Sequence, residues 1–152
     1  MTVSARPILL NSCAEAATAE EARFRIDRPI GSRAALILAL DDKAAEVVDR
    51  VAARPWGGAR FMRTAGEPLE RLETELADAD VAIMIATGDA DGEAAAAIAR
   101  ICSERGIMTA GLILGDAVSV GDAVSALRPY ARNLMVTGDE DDVAAVLTAL
   151  RA

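Results

Sequence analysis

The stretch from Ala79 to Gly115 constrains the fold of this chain more than any other. It contains an apolar run at 81–86, a Gly-Asp loop, an alanine-rich segment and a second apolar run at 107–114. Two apolar runs of strand length joined by a helix are typical of parallel strands that are buried on both faces. The stretch therefore predicts a βαβ unit. In such a unit the loop after the first strand, here Thr87 to Gly92, is the usual place for a ligand.

The same alternation of strands and helices continues over residues 34–152. Each predicted strand is followed by a segment with apolar residues at helical spacing, and the five strands lie at 34–40, 59–62, 81–86, 107–114 and 133–137. We therefore predict a single α/β domain, a three-layer Rossmann-like open sheet of five parallel strands with helices on both faces. Two strand orders are open, 3-2-1-4-5 and 2-1-3-4-5. The first strand is the most uniformly apolar and is expected at the centre.

The apolar stripes of the helices predict the core. Residues three, four or seven apart on a helix share a face, so an aliphatic stripe marks the side that packs on the sheet. Cys102 lies on such a stripe and is interpreted as a small core residue. The predicted core positions on the helices are Val47, Val51, Leu72, Leu76, Ile98, Ile101, Val124, Leu127, Val143 and Leu147.

Charge and composition exclude several classes of function. The formal net charge is −8, and general nucleic-acid binding and anionic-membrane binding both need net positive charge. The chain has no His, which removes His-based triads and most zinc sites, and its two Cys have no metal-type spacing. Apolar segments do not reach the length of a membrane span. We therefore expect a cytoplasmic protein without nucleic-acid or membrane partners.

Residues 1–33 are predicted to form an N-terminal arm. They carry five Arg and four acidic residues, whereas the rest of the chain is strongly acidic. Phe24 and Ile26 alternate with charged residues in the manner of an edge strand. Two interpretations are open: the arm is a partly ordered tail, or it pairs with a sheet edge or a neighbouring subunit. Pairing with a neighbouring subunit would make the protein a homo-oligomer.

The carboxyl ends of parallel strands meet at one edge of the sheet, and here that edge is acidic with glycines at the turns. Acidic residues at these positions are either helix caps or the oxygen ligands of a cation such as Mg²⁺. Asp41 and Asp89 are the candidate metal ligands. The predicted ligand-binding residues are Asp41, Asp42, Thr87, Gly88, Asp89, Asp91, Gly92, Gly115 and Asp116.

Residues 67–114 contain, in order, a helix that leads to an Ala-Asp pair, an apolar strand, a Thr-Gly turn, an alanine-rich helix and a strand reading Gly-Ile-Met-Thr-Ala-Gly. This order resembles the nucleotide domain of the tubulin/FtsZ superfamily, with a looser match over 36–136. The resemblance implies that Thr87, Gly88 and Gly92 lie in the phosphate-loop region, and it favours the order 3-2-1-4-5. The glycine run of the family is replaced by Asp89-Ala90-Asp91, so GTP hydrolysis is not implied.

The acidic turns are also similar to those of a response-regulator receiver domain. Asp41-Asp42 follow the first predicted strand and Asp91-Gly92 follow the third. A receiver has its phosphoacceptor Asp at the end of the third strand, where this chain has Ile85 or Ala86, and a Lys after the fifth, where it has Thr137-Gly138. The resemblance therefore implies a degenerate receiver that is not phosphorylated in the usual way.

Three functions are compatible with this sequence. The preferred one is a small binding or regulatory module that recognises a nucleotide or another small anionic ligand at the carboxyl edge of the sheet. The lack of His and of a complete catalytic constellation favours binding without turnover. One alternative is an enzyme that acts on a phosphorylated or acyl substrate with Asp residues or a metal at that edge. The other is a non-catalytic assembly subunit.

Overall fold

The computed structural model describes residues 34–152, except for 89, 91, 117 and 151. The predicted arm, 1–33, lies outside the described residues. Five strands and five helices alternate along the chain. The strands are β1 (Ala35–Ala39), β2 (Arg60–Arg63), β3 (Val81–Ala86), β4 (Met108–Leu114) and β5 (Asn133–Thr137), and the helices are α1 (Asp42–Ala52), α2 (Leu69–Ala77), α3 (Gly92–Arg105), α4 (Gly121–Leu127) and α5 (Glu140–Ala149).

The sheet is parallel throughout and has the order β2-β1-β3-β4-β5. The predicted α/β fold with five parallel strands is therefore confirmed. The order 3-2-1-4-5 that the tubulin/FtsZ resemblance favoured is wrong, and the second of the two predicted orders is the correct one. β3, not β1, occupies the centre.

The composition of β2 explains why this order is adopted. β2 reads Arg-Phe-Met-Arg, so each of its faces carries one guanidinium. In the order 3-2-1-4-5 this strand would lie inside the sheet, and both arginines would be buried under helices at a large desolvation cost. At the edge, Arg60 bonds to Glu75 and Arg63 bonds to Asp49 near solvent. The apolar strand β3 takes the central position instead, with all six of its residues buried.

Helices cover both faces of the sheet and enclose two core layers. Alternate residues of β1 and β3 point to opposite faces, so Leu36 and Met84 join one layer while Ile37 and Ile83 join the other. The first layer contains the apolar faces of α2, α3 and α4, and the second contains those of α1 and α5. All the predicted core positions pack in these layers, Val47 and Val124 being partly buried and the other eight fully buried. Cys102 is also buried in the core, as predicted.

Single residues fix where three of the helices begin or end. Asp41 caps α1 and Asp139 caps α5, each by accepting a backbone N–H from the first turn. Gly106 has a φ of 68° directly after α3, the left-handed conformation that glycine adopts at helix ends. The caps at Asp41 and Asp139 lie at the carboxyl edge of the sheet, whereas Gly106 lies at the amino edge.

Replacing Glu140 with Gln is expected to make the stability less sensitive to acid. The guanidinium of Arg50 on α1 donates to both oxygens of Glu140 on α5, at 2.7 and 2.9 Å. These bonds lower the pKa of Glu140 below its ordinary value of 4.5. Because the folded pKa is lowered, the ion pair stabilises the protein above pH 4.5, and this contribution is lost as the pH falls through the folded value.

Urea unfolding at neutral pH and at several values below 4.5 measures this effect. Glu140→Gln should be less stable than the wild type at neutral pH, and the difference should shrink in acid. Glu104→Gln is the matched control, since Glu104 is exposed and forms no ion pair with any residue of the described part. A difference that stays constant with pH would contradict the expectation.

Candidate functional site

The strand order creates a topological switch point between β1 and β3. From β1 the chain goes outward to β2, and it then returns past β1 to enter β3 on the other side. The loops that follow β1 and β3 therefore leave the sheet in different directions, and a crevice opens between them at the carboxyl edge. Asp41 is in the first of these loops and Thr87 in the second. The fold thus brings together two regions that the sequence placed in one site.

Asp41 and Thr87 are joined directly by hydrogen bonds across the crevice. The Thr87 N–H donates to Asp41 Oδ2 at 2.7 Å, and the Thr87 hydroxyl donates to Asp41 Oδ1 at 2.9 Å. Oδ1 also accepts the N–H of Ala44 at 2.8 Å, and the Asp41 residue is only 9% exposed. This buried carboxylate therefore both caps α1 and joins the two loops. Three of the roughly four acceptor positions of this carboxylate are thus taken, and only Oδ2 keeps a position for a further ligand.

Two of the predicted ligand-binding acids, Asp89 and Asp91, lie outside the described residues. The pairing of Asp41 with Asp89 as ligands of Mg²⁺ therefore stays a prediction. In residues 34–152, leaving out the four undescribed positions, no three His, Cys, Asp or Glu side chains are grouped so that they could hold a metal ion.

Two cavities open at this edge, and Lys43 lines both. The smaller has a volume of about 360 Å³ and is lined by Lys43, Thr87, Gly88, Leu114 and Ser119. The larger measures about 500 Å³ and is lined by Leu40, Asp41, Asp42, Lys43, Thr64, Ala65, Gly66 and Ala94. The predicted ligand-binding residues did not include Lys43, Thr64 or Ser119. A signal was present for one of them, because Lys43 is the only lysine in the chain, in which all other basic residues are arginine.

The glycines at this edge are explained by close contacts within the protein. A Cβ on Gly88 would lie 3.0 Å from the carbonyl oxygen of Ser119, so glycine lets the loops after β3 and β4 approach each other. Gly115 has a φ of 148°, and a Cβ there would lie 2.5 Å from Val120 Cγ1. Gly88 thus lines the smaller cavity, and Gly115 directly follows the lining residue Leu114. Gly92 instead faces α4, where its Cβ would contact Ala126 at 3.4 Å.

Asp116 forms a turn with Ser119 beside the smaller cavity. Asp116 Oδ1 accepts the N–H of Ser119 at 2.9 Å, and hydrogen bonds from Ser119 lower the pKa of this exposed carboxyl. The Ser119 hydroxyl donates to the carbonyl oxygen of Asp116 at 3.2 Å, which is long for a bond between two oxygens. Asp116 therefore stabilises the turn before α4. The hydroxyl of Ser119 contributes to this turn and also lines the cavity.

A further cavity lies at the opposite edge of the sheet. It measures about 520 Å³ and is bounded by the second half of α3, the start of β4 and the segment after α4. Arg100, Tyr130 and Arg132 line it together with Ser103 and Thr109. None of the predicted ligand-binding residues is among the residues that line it. This edge holds the amino ends of the strands, away from the switch-point crevice.

Comparison with known proteins supports the fold alone. No family model matches the sequence, and no curated protein matches it. Solved structures do match, among them the solution NMR structure of a de novo designed PLOOP2X3_50 fold protein, with a TM-score of 0.53 and 18% sequence identity. The match covers 80% of this chain and 91% of the designed one. The chain is similar to this protein in its α/β architecture, and a shared architecture does not carry a function with it.

No helix in the described part of the chain is long and apolar enough to cross a membrane.

Proposed function

We propose that this protein is a small binding or regulatory module that recognises a small anionic ligand, a phosphorylated metabolite or nucleotide, at the carboxyl edge of its sheet. The observation that carries the proposal is the lining of the 360 Å³ cavity. The described residues of that lining contribute one ammonium group, from Lys43, and two hydroxyl groups, from Thr87 and Ser119, but no carboxylate. Cationic and hydroxyl groups are those that bind phosphate and carboxylate oxygens.

Two of the neighbouring acids in the described part, Asp41 and Asp116, are already bonded to other groups, which reduces their repulsion of an anion. Asp41 accepts three hydrogen bonds from the backbone and Thr87. Asp116 accepts the backbone N–H of Ser119. Asp42 is exposed and lines the larger cavity, not the smaller one. For an anion bound near Lys43, attraction by the ammonium group should therefore outweigh repulsion by these carboxylates. A polyphosphate, with more charge to compensate, would bind better with Mg²⁺.

The dimensions of the two cavities suit a phosphorylated ligand. The smaller one falls within the volume range of sites for small molecules. The Ser119 hydroxyl lines this cavity and can donate to a phosphate oxygen by rotating away from Asp116. The larger cavity has Leu40 and Ala94 in its lining beside Thr64, so it offers apolar surface to a sugar or base.

Binding without turnover fits the chemistry of the crevice better than catalysis does. Asp41 is the buried carboxylate at the switch point, and its oxygens are occupied by three donors. It is therefore poorly placed to accept a proton from a substrate. The thiol of Cys102 is buried in the core, and burial raises its pKa to about 11, so it is not an activated nucleophile.

A thermal-shift screen with inorganic phosphate and with nucleoside mono-, di- and triphosphates, each with and without Mg²⁺, tests the proposal. A true ligand at 100 times its dissociation constant should stabilise the protein by about 2.7 kcal/mol. Calorimetry should then show weaker binding for Lys43→Gln, by about tenfold or more, because a charge-assisted hydrogen bond is lost. Arg105→Gln is the control. It also removes one positive charge, but Arg105 is the last residue of α3 and lies at the edge of the sheet opposite to the cavity.

Because Lys43 is the only lysine, its reactivity gives an independent measurement. An amine-acylating reagent modifies Lys43 and the chain terminus alone, and mass spectrometry separates the two. The bound probe should protect Lys43 and leave the terminal amine reactive. If neither phosphate nor any nucleotide binds under any condition, the anion-binding proposal is wrong, and recognition of a partner protein becomes the better hypothesis.

A further inference from the structure

Strand β5 forms an edge of the sheet and lacks the usual protection of an edge. It pairs with β4 on one side, and no other strand of the described part pairs with it. Every second N–H and C=O group of such a strand points outward and can pair with another strand. β5 reads Asn-Leu-Met-Val-Thr and contains no charged residue and no proline. Met135 and Val136 are 49% and 41% exposed, and as adjacent strand residues they lie on opposite faces.

The other edge of the sheet is protected. β2 carries Arg60 and Arg63, and both are held by carboxylates on neighbouring helices. Charged side chains along an edge oppose pairing with another chain, because pairing would desolvate them. The two edges of the same sheet therefore differ, and only β5 presents an apolar, uncharged strand to solvent.

The charges at the two ends of β5 have opposite signs. Arg128 and Arg132 precede the strand, and neither forms an ion pair with a residue of the described part. Asp139 and Asp141 follow it. When two copies of β5 pair in antiparallel orientation, the basic end of each strand meets the acidic end of the other. Parallel pairing would bring like charges together, so the charge pattern selects the antiparallel arrangement.

We propose that β5 is a homodimer interface, at which a second copy of this chain pairs antiparallel with β5 about a two-fold axis. The sheets of the two copies then form one continuous sheet. A two-fold axis at Met135 places Met135 of each copy opposite Met135 of the other, and Val136 of each copy opposite Leu134 of the other, which covers the exposed apolar side chains. Arg132 then lies near the start of α5 of the second copy.

Sedimentation velocity of the full chain over a range of concentrations tests the interface. The wild type should sediment as a dimer, and added salt should weaken the dimer because the charges at the strand ends are exposed. Met135→Lys places two like charges near the axis and should raise the dimer dissociation constant by about tenfold or more. Leu69→Lys is the matched control, because Leu69 is 42% exposed but lies on α2, away from β5. It should leave the dimer unchanged.

Hydrogen exchange identifies the paired surface. The backbone amides of β5 should gain protection as the protein concentration rises, and those of β2 should not. A wild-type protein that remains a monomer at every concentration would overturn the proposal, as would protection of β5 that does not depend on concentration. The second result would show that another segment of the same chain covers this edge. The proposal would also be overturned if Met135→Lys left the dimer dissociation constant unchanged.

Discussion

Asp41→Ala is expected to lower the free energy of unfolding by about 2–4 kcal/mol. The substitution removes the cap of α1 and leaves three donors without their acceptor, the N–H groups of Ala44 and Thr87 and the hydroxyl of Thr87. Asp41 is buried, so water cannot fully replace the lost carboxylate. Urea unfolding monitored by circular dichroism gives the difference.

Asp42→Ala is the control for this prediction. Asp42 is the next residue and has the same charge, but it is exposed in the first turn of α1. Its loss should cost less than about 1 kcal/mol, through the interaction with the helix dipole. Equal effects of the two substitutions would show that charge near the helix start, and not the bonds across the crevice, accounts for the stability.

Ile101→Ala is expected to cost roughly 2–5 kcal/mol of stability. Ile101 lies on α3 and is buried in the core layer that also contains Leu76 and Cys102. Truncation removes apolar surface from the core and leaves a cavity that the close-packed neighbours fill only in part. The same unfolding experiment measures the loss.

Val118→Ala provides the comparison for the core variant. It also truncates a branched aliphatic side chain, but Val118 is 94% exposed. Its effect should stay within about 0.5 kcal/mol. A loss below this value for Ile101→Ala as well would mean that the apolar stripe of α3 does not face the core.

Local patterns were sufficient to predict most of the fold. The apolar run at 81–86 was predicted as a strand with the bounds that β3 has, because continuous burial leaves an unbroken apolar sequence. The strand order could not be predicted from the apolar runs alone, because β1 and β3 are both uniformly apolar and either could lie at the centre. The deciding signal was the pair of arginines in β2, which desolvation keeps at an edge. The tubulin/FtsZ and receiver resemblances stay predictions.

The candidate site was predicted less completely than the fold. Its location followed from topology, because the carboxyl ends of parallel strands share an edge. The hydrogen bonds between Asp41 and Thr87 could not be predicted from topology. These residues are 46 positions apart in the chain, and a hydrogen bond depends on tenths of an ångström. Gly88 and Gly92 were predicted as ligand-binding residues, whereas a Cβ at these positions would meet Ser119 and Ala126 of the protein itself.

The bonds between Asp41 and Thr87 also bear on how the chain folds. α1 can obtain its cap from Asp41 as soon as the helix forms, because that contact is local. The bonds to Thr87 close a loop of 46 residues and can form only when β3 has docked against β1. A partly folded chain with α1 but without this central strand pair has no crevice. The crevice in which we propose that a ligand binds can therefore form only together with the completed sheet.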